Sequence, residues 1–316
     1  MRAEYGSRSI ALASSKPPHR AVVRRYNHAM AFTLAEPRTV QTKRGLVSYR
    51  YAAPHAARSQ TPVVLLHGLG GSSVVWARNM KALAQVLPVF ALDLWSPGRN
   101  KRPERATPAA GVHFLSTFMD AVGIQAAHVV GNSLGGLIAG HFAIAHPSRV
   151  HSLTFVGSAG LGREIAWSQR LLTLRGVGEF FFRPTERRVR SMLKLLIKNG
   201  DIPEELVRAL YEDSVQPGVT KQMLAALRAG VSLRGVKRSV IFLDGLAKID
   251  IPSLVTAGER DPLFPASHPE RAAAALPHAE LHVFAGAGHW PHFEDSSAFN
   301  QVLLDFLNTV EANTVA

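Results

Sequence analysis

The chain has 316 residues, and its 36 Lys and Arg residues against 23 Asp and Glu residues give a formal charge of +13 with His neutral. Because 47% of the residues are hydrophobic and 19% are charged, the chain can bury a substantial core, which excludes a mostly disordered protein. It contains no Cys, so a disulfide framework, a thiolate metal site and a Cys nucleophile are excluded as well. This composition fits a reducing compartment, and we expect a cytoplasmic location.

The first residues of the chain differ from the rest in charge. Residues 1–30 hold six basic residues and one acid. No apolar run of about 7 to 15 residues follows these charges, although a secretory signal peptide requires one. We therefore expect a basic, disordered tail over residues 1–37. An organelle transit peptide and non-native residues upstream of a start at Met30 are the alternatives.

From residue 39 onward, short apolar segments alternate with amphipathic ones. Residues 39–43 and 46–52 flank Arg44-Gly45 and predict a β-hairpin. The next four apolar segments are predicted as strands, at residues 62–66, 89–92, 128–130 and 150–156. The segments between them are predicted as helices, at residues 74–86, 108–122 and 134–145. Continuous apolar strands separated by helices predict a mostly parallel sheet covered on both faces, and thus an α/β fold.

One stretch could be mistaken for a membrane span. Residues 121–148 lack Lys, Arg, Asp and Glu, but Asn, Ser, Gly and His interrupt them. A spanning helix needs about 20 predominantly apolar residues. The stretch is therefore predicted as a strand, a turn and a helix, and no transmembrane segment is expected.

The alternation stops near Gly160 and resumes at Ile251. Between these points lie basic helical stretches, such as residues 186–198 and 203–211, without a clear buried strand. Strands at 253–257 and 280–284 and helices at 268–276 and 296–310 are predicted after them. We therefore expect a core formed by residues 38–162 and 249–316, with residues 163–248 inserted after the sixth strand as a helical cap.

The strongest local motif is G-x-S-x-G at residues 131–135, between a predicted strand and a predicted helix. The string alone is a weak signal, but a sharp strand-to-helix turn is the context in which such a Ser acts as a nucleophile. Glycines on both sides let neighbouring backbone segments approach the turn. We therefore predict that Ser133 is the nucleophile rather than part of a purely structural turn.

A Ser hydroxyl needs a base, and that base needs a group to orient it. His289 lies on a predicted loop between glycines and tryptophan, after the last predicted strand, so we predict that it is the base; His292 is its rival. Asp261 follows the strand at 253–257 and is the predicted orienting acid, with Glu259 as its structural rival. The chain order Ser, Asp, His differs from the orders of the chymotrypsin-like and subtilisin-like proteases.

The developing oxyanion needs backbone N–H donors. A glycine-rich stretch at residues 67–73 follows an apolar strand, and we predict that the N–H groups of Leu69 and Leu134 form the oxyanion hole. A glycine-rich loop could instead hold a phosphate, but the stretch matches neither G-x-x-x-x-G-K-[ST] nor G-x-G-x-x-G. We expect no metal and no cofactor.

These four features in this order resemble the α/β-hydrolase superfamily, over about residues 38 to 312. Four motifs look like those of the meta-cleavage-product hydrolases, which split C–C bonds of vinylogous diketones: residues 131–136, 96–101, 158–162 and 288–292. The resemblance implies an α/β-hydrolase fold, with mostly parallel strands flanked by helices. It also implies that Asn132 and Trp290 line the substrate pocket, and we expect Gly68 to line it as well.

One departure concerns the cap. C–C hydrolases of this kind carry an Arg in a segment resembling E-E-L-L-x-G-R-W-E, whereas residues 204–212 of this chain have Leu210 at that position. Arg208 is two residues away, on a different helix face. The glycine-rich stretch is also shorter than the H-G-G-G-P-G of that subfamily. We therefore expect a carboxylesterase, with C–C hydrolysis of dienols as the alternative and an inactive ligand-binding protein as an alternative of another class.

The Ser at the turn excludes the dehalogenase and epoxide-hydrolase branches, which use Asp there, and leaves a perhydrolase open. Apolar cap residues are expected to line an acyl pocket or to pack the cap onto the sheet: Trp167, Leu171, Leu172, Phe180, Phe181, Phe182 and Leu196. The Lys and Arg residues show no nucleic-acid-binding signature, so we expect a small-molecule ester or dienol substrate and no nucleic-acid partner. Steering of anionic substrates and contact with an acidic membrane surface are alternatives for the basic cap.

Overall fold

A sheet of eight strands forms the centre of the fold in the described part of the chain. The computed structural model describes residues 35–43, 45–55, 59, 61–94 and 107–315. Most of the predicted tail, Arg44 and the motif at 96–101 lie outside these residues. In chain order the strands are β1 (Pro37–Thr42), β2 (Gly45–Ala52), β3 (Val63–Leu66), β4 (Val89–Leu92), β5 (Ala127–Asn132), β6 (Val150–Val156), β7 (Val231–Ser232), β8 (Gly235–Val236), β9 (Ser253–Gly258) and β10 (Ala279–Phe284).

The strands of this sheet are mostly parallel. Their order is β1-β2-β4-β3-β5-β6-β9-β10. Within this sheet of the described residues, only the two pairs that include β2 are antiparallel, and β1 and β2 form the predicted hairpin. The other neighbouring pairs are parallel. The predicted α/β fold with a mostly parallel sheet is therefore confirmed, and the carboxyl ends of β3, β5, β6, β9 and β10 meet at one edge.

Helices cover both faces of the sheet. They are α1 (Ala77–Leu83), α2 (Pro108–Ala121), α3 (Leu134–Ala145), α4 (Trp167–Leu171), α5 (Val177–Phe181), α6 (Glu186–Leu196), α7 (Glu204–Ser214), α8 (Val219–Gly230), α9 (Leu243–Leu246), α10 (Ser267–Ala275), α11 (Pro291–Glu294) and α12 (Ser296–Val315). None of the helices in the described residues is long and apolar enough to cross a membrane.

Strand β3 shows how the two faces are packed. All four of its residues are fully buried. Because successive side chains of a strand point to opposite faces, Val64 and Leu66 pack with α2 and α3, whereas Val63 and Leu65 pack with α1 and α12. The continuous apolar sequence that predicted this strand thus reflects burial on both faces.

The segment between β6 and β9 contains helices α4–α9 and the small hairpin of β7 and β8. The hairpin was not predicted, because each of its strands has two residues and carries no periodic pattern. Buried residues of α6 and α7 belong to the same hydrophobic cluster as those of α1 and α12. The residue bounds of a separate cap stay a prediction.

The predicted helix at residues 74–86 differs from the structure. A 3-10 turn, Ser73–Trp76, precedes α1, and all four of its residues are buried. An amphipathic α-helix buries only one stripe of its surface, so four consecutive buried residues do not fit one. The stretch at 121–148 contains β5 and α3, as its interpretation as a strand, a turn and a helix predicts.

Gly135, in the first turn of α3, lies directly against the backbone of β3. A Cβ atom on Gly135 would lie 2.2 Å from the carbonyl oxygen of Leu66 and 2.9 Å from that of His67. Strand β3 is paired with β4 on one side and with β5 on the other, so its backbone cannot move aside. Helix α3 can therefore begin at this place only if residue 135 has no side chain.

Gly135→Ala is expected to destabilise the protein by more than ordinary overpacking of a core, which costs about 1–3 kcal/mol. The matched control is Gly230→Ala at the end of α8, where a new Cβ would be 3.8 Å from its nearest neighbour. The control should leave the free energy of unfolding nearly unchanged. Urea unfolding of both variants measures the difference, and equal midpoints would contradict the packing argument.

Candidate active site

Ser133 lies in the turn between β5 and α3, with backbone angles of φ 53° and ψ −112°. It is the one non-glycine residue with positive φ in the described part of the chain. Its N–H donates to the carbonyl of Val156 at 3.0 Å, and its own carbonyl accepts from Leu137 and Ala159, each at 3.1 Å. Such a conformation is costly and persists only where the surroundings hold it, which is typical of a functional turn.

The glycines of the motif explain its spacing. A Cβ on Gly131 would lie 2.4 Å from the backbone of Gly135, and one on Gly135 would lie 2.2 Å from the carbonyl oxygen of Leu66. The turn can therefore fold back on itself only with hydrogen at these positions. The pattern G-x-S-x-G is thus a packing requirement of the turn that carries Ser133.

The structure brings His289 and Asp261 together. Nδ1 of His289 lies 2.7 Å from Oδ2 of Asp261, and both side chains are almost fully buried. Oδ1 of Asp261 accepts from the N–H groups of Leu263 at 2.8 Å and Phe264 at 3.2 Å. Because a carboxylate can only accept, Nδ1 of His289 carries the hydrogen, and Nε2 is the nitrogen that can take a proton.

The two rivals named from the sequence lie in other surroundings. Glu259 is exposed and accepts from the N–H of Gly286 at 2.8 Å. His292 is fully buried, and its ring centroid lies 4.2 Å from that of Trp76. Burial lowers the pKa of His292 to about 3, and neither ring nitrogen has a hydrogen-bond partner among the described residues. Asp261 and His289 are therefore the pair that the structure joins.

Ser133 and the Asp261–His289 pair meet at the same edge of the sheet. Gly157, which follows β6, lies between them: a Cβ on it would be 3.2 Å from both Asp261 Oδ2 and His289 Nδ1. The preceding residue, Val156, accepts the hydrogen bond from the N–H of Ser133. Parallel strands place the residues that follow them at one edge, so four sequence-distant loops converge here.

The glycine-rich stretch after β3 forms a tight turn beside Ser133. The N–H of Gly71 donates to the carbonyl of Gly68 at 3.1 Å, and Gly70 has a φ of 80°, which favours glycine. A Cβ on Gly68 would lie 3.0 Å from the Cβ of Ser133. Leu69 therefore lies in a fixed turn next to the predicted nucleophile, and Leu134 supplies the first N–H of α3, which has no partner within the helix.

The side chain of His67 stabilises this glycine-rich turn through two hydrogen bonds. Its Nδ1 donates to the carbonyl of Gly68 at 2.8 Å, because its Nε2 accepts from the N–H of Leu94 at 2.9 Å. Burial lowers the pKa of His67, so the ring is neutral and can make both bonds. The sequence shows a His before the glycines but gives no hint of this double role.

The residue-61-to-296 segment matches the family model described as alpha/beta hydrolase fold. It includes the turn at Ser133 and both members of the Asp261–His289 pair. The chain belongs to the α/β-hydrolase family.

Three similar proteins differ in activity. The dihydrolipoyllysine-residue acetyltransferase component of the acetoin cleaving system of Cupriavidus necator is 35% identical over 76% of this chain. The chain spans 62% of the length of that protein, which is less than two thirds. The 2-hydroxy-6-oxo-6-phenylhexa-2,4-dienoate hydrolase of Comamonas testosteroni is 30% identical over 78% of this chain and 87% of its own. A solved membrane phospholipase A is 25% identical with a TM-score of 0.73, over 87% of this chain and 86% of its own. The resemblance to the meta-cleavage-product hydrolases is thus confirmed.

The three predicted pocket residues of the hydrolase are buried. Nδ2 of Asn132 donates to the carbonyls of Val156 at 2.9 Å and His289 at 3.3 Å, so this side chain ties the end of β5 to the loop of the base. The indole of Trp290 belongs to the core cluster with α1 and α12. Gly68 lies against Asn132 and Ser133. Contact of these residues with substrate stays a prediction.

Two methionines of the inserted helices cover the glycine-rich turn. A Cβ on Gly70 would lie 3.1 Å from Cε of Met223 on α8 and 3.4 Å from Sδ of Met192 on α6. A cavity of about 210 Å³ adjoins this turn, and Met223 and Leu210 are among its lining residues. Leu210 is buried, whereas Arg208 is exposed, so α7 turns an apolar residue rather than a cation inward. This agrees with the helix-face argument made from the sequence.

Glu294 is a residue of the site that the sequence reasoning missed. Its carboxylate accepts from the N–H groups of Gly288 at 2.9 Å and Trp290 at 3.2 Å, on both sides of His289. It also accepts from the N–H groups of Lys198 at 2.7 Å and Asn199 at 2.9 Å, just after α6. The latter partners are nearly one hundred residues away in the chain, so no local pattern announces them.

A further hydrogen bond connects the end of α6 to the loop of His289. The N–H of His289 itself donates to the carbonyl of Leu196, the last residue of α6, at 2.8 Å. Three hydrogen bonds therefore join the end of α6 to the loop of His289: those from Lys198 and Asn199 to Glu294, and that from His289 to Leu196. Glu294 fixes the backbone that carries the imidazole.

Glu294→Gln is expected to lower kcat about 10- to 100-fold, because a Gln offers one acceptor oxygen and turns its NH₂ group toward backbone donors. KM should change little, since Glu294 lies behind the base. Glu259→Gln is the matched control: it removes a carboxylate that accepts from one loop N–H, and its kcat should stay near that of the unaltered enzyme. Steady-state kinetics of both variants checks this, and a normal kcat in Glu294→Gln would contradict the positioning role.

His292→Phe and His289→Gln are expected to behave oppositely. His292→Phe should keep activity, because the ring packs among aromatic side chains, whereas His289→Gln should abolish turnover. The folded-state pKa of His292 is about 3, below its ordinary value of 6.5, so the unfolded chain binds the proton first as the pH falls. This group thus lowers stability as the pH drops through 6.5 toward 3, by about 1.4 kcal/mol per pH unit.

Urea unfolding of His292→Phe between pH 7 and pH 4 measures that effect. The variant should lose less stability on acidification than the unaltered protein. A residual slope is expected, because burial also lowers the pKa of His128 to about 4. If His292→Phe folds but is inactive, the result would contradict the prediction that His289 rather than His292 is the base.

Proposed function

We propose that Ser133 is the nucleophile of this hydrolase, with His289 as general base and then general acid. The 2.7 Å hydrogen bond between His289 and Asp261 carries this proposal, since it leaves Nε2 of the base free to act at the same sheet edge as Ser133. Asp261 stabilises the imidazolium that forms when Ser133 loses its proton. The N–H groups of Leu69 and Leu134 are the proposed donors to the oxyanion.

For the substrate, we propose C–C hydrolysis of a meta-cleavage-type dienol. The activity of the Comamonas testosteroni relative and the four shared motifs support this choice over ester cleavage, which the sequence alone favours. The dienol would first take its keto form, in which a proton moves from the enol hydroxyl to the carbon that will leave and the second, conjugated carbonyl forms. The hydroxyl of Ser133 would then add to the ketone carbon while His289 takes its proton. The C–C bond breaks, its electron pair passes into the second carbonyl to give a dienolate, and His289 returns the proton to the dienolate oxygen. Water hydrolyses the resulting acyl-enzyme.

Ester hydrolysis is the second candidate, because of Leu210. Its buried, apolar side chain lies where C–C hydrolases of this kind carry the Arg, and Arg208 faces solvent. In ester hydrolysis the leaving group departs as an alcohol. That reaction therefore needs no cation to stabilise a dienol anion. The structural similarity to a phospholipase supports the same candidate. In both reactions the triad and the oxyanion donors act alike.

We also propose a small-molecule substrate, no nucleic-acid partner and a cytoplasmic location. A small-molecule substrate follows from either reaction. The absence of a nucleic-acid signature among the Lys and Arg residues supports a protein without a nucleic-acid partner. A cytoplasmic location fits the lack of Cys in the sequence.

The pure protein and its Ser133→Ala variant should be tested on a meta-cleavage dienol and on p-nitrophenyl esters from acetyl to palmitoyl. We expect the dienol colour to decay with the unaltered protein and the rate to fall at least about a thousandfold in the variant. Turnover of esters alone would select the second candidate and size its acyl pocket.

Full activity of Ser133→Ala would contradict the proposed nucleophile for both reactions. A fluorophosphonate probe separates the last alternative, a binding protein without turnover. Labelling that depends on Ser133 supports an enzyme, whereas a folded protein that does not react would support the inactive class.

A further inference from the structure

Helices α4 and α5 and the segment between them carry an exposed apolar surface, which differs from both expectations made from the sequence. Trp167 is 65% exposed, Phe180 57% and Phe181 58%, and Leu171 and Leu174 are exposed as well. These five side chains, called the apolar cap surface below, lie within fifteen residues, and eleven large hydrophobic side chains are exposed in the whole described part of the chain. Because these side chains are exposed, they do not pack the helices between β6 and β9 onto the sheet.

This exposure belongs to a well-packed segment. A Cβ on Gly178 would lie 2.4 Å from the carbonyl of Leu172, so the inner side of α5 is in tight contact. Arg228 of α8 donates to the carbonyls of Thr173 at 3.0 Å and Leu174 at 3.2 Å. The segment is thus held from behind while its aromatic side chains face outward. Apolar surface presented in this way marks an interaction site.

Arginines surround the apolar cap surface. The guanidinium of Arg170 lies 4.5 Å from the ring centroid of Trp167, and that of Arg188 lies 4.6 Å from that of Phe180. Residues 163–188 contain six Arg and three Glu. Two of these acids are paired with arginines from outside the segment, Glu164 with Arg271 and Glu179 with Arg228. The charge of the segment is therefore strongly positive.

We propose that the apolar cap surface docks on an anionic phospholipid bilayer. Tryptophan and phenylalanine enter the boundary between headgroups and acyl chains, and arginines beside them bind lipid phosphates. A second copy of this chain fits less well, because a two-fold contact through this surface would bring the same arginines together. The proposal concerns binding alone and does not depend on which bond the enzyme hydrolyses.

Flotation of the full chain with vesicles tests the proposal. We expect binding to vesicles that contain phosphatidylglycerol, weaker binding to pure phosphatidylcholine, and loss of binding at high salt. The double variant Phe180→Ser/Phe181→Ser should bind anionic vesicles at least about tenfold more weakly. Arg175→Glu/Arg183→Glu, which reverses two exposed charges of the same segment, should weaken binding by a similar factor.

The matched control is Leu281→Ser/Val283→Ser on the edge strand β10, where the two side chains are 42% and 46% exposed. It should bind like the unaltered protein. Every variant keeps residues 1–34, so any contribution of these basic residues is the same in all samples. Quenching of tryptophan fluorescence by brominated lipid should occur in the unaltered protein and be greatly reduced in Trp167→Phe.

Two results would overturn the proposal. Equal vesicle binding by the unaltered protein, both double variants and the control would show that this surface does not contact lipid. Alternatively, size-exclusion chromatography could show an oligomer that the Phe180→Ser/Phe181→Ser variant dissociates, with vesicle binding unchanged. The surface would then be an interface between copies of the chain. Neither readout uses turnover, so both are separate from the tests of the proposed reaction.

Discussion

The close approach of helix α3 to strand β3 is the constraint on which the rest of the site depends. The backbone of α3 can touch the carbonyl of Leu66 only because residue 135 is glycine. This contact forces the chain to reverse at Ser133 within one residue, at positive φ. Hydrogen bonds from β6 and from the segment after it hold the reversed turn. The cost of the strained turn is thus offset by the buried sheet and helix around it.

The surroundings of each histidine decide its chemistry in this protein. Burial lowers the pKa of both His67 and His292 and keeps these rings neutral, although the charge of Asp93 partly opposes the shift at His67. One braces the glycine-rich turn, and the other fills a space beside Trp76. His289 is equally buried but faces Asp261, which can stabilise a positive charge on its ring, as the proposed role of His289 as base requires. Residue type alone does not separate these roles, whereas loop position and partners do.

Local patterns in the sequence were sufficient for most of the sheet and for selecting Asp261 and His289, the two side chains that the structure joins. Apolar runs such as β3 encode burial on two faces, and the glycines around Ser133 encode a close backbone approach. Contacts between distant segments leave no such pattern: the four backbone donors of Glu294 come from two separate loops. The sequence also did not predict the short 3-10 turn before α1, because hydrophobic periodicity does not describe four consecutive buried residues. It did not predict that the aromatic side chains of α4 and α5 face outward, because a five-residue helix is too short for periodicity to show which side is buried.

The join between α6 and the loop of His289 bears on engineering of substrate range. Exchange of the helices between β6 and β9 with those of another protein of this fold is one route to new substrates. However, Leu196, Lys198 and Asn199 of that segment are hydrogen-bonded to the loop that carries the imidazole of His289 or to Glu294 behind it. A chimera that replaces these residues with a segment of different backbone path would shift His289, the proposed base, as well as the predicted pocket. A graft that retains residues 196–199 and Glu294 of this chain would change substrate binding and keep His289 in its position.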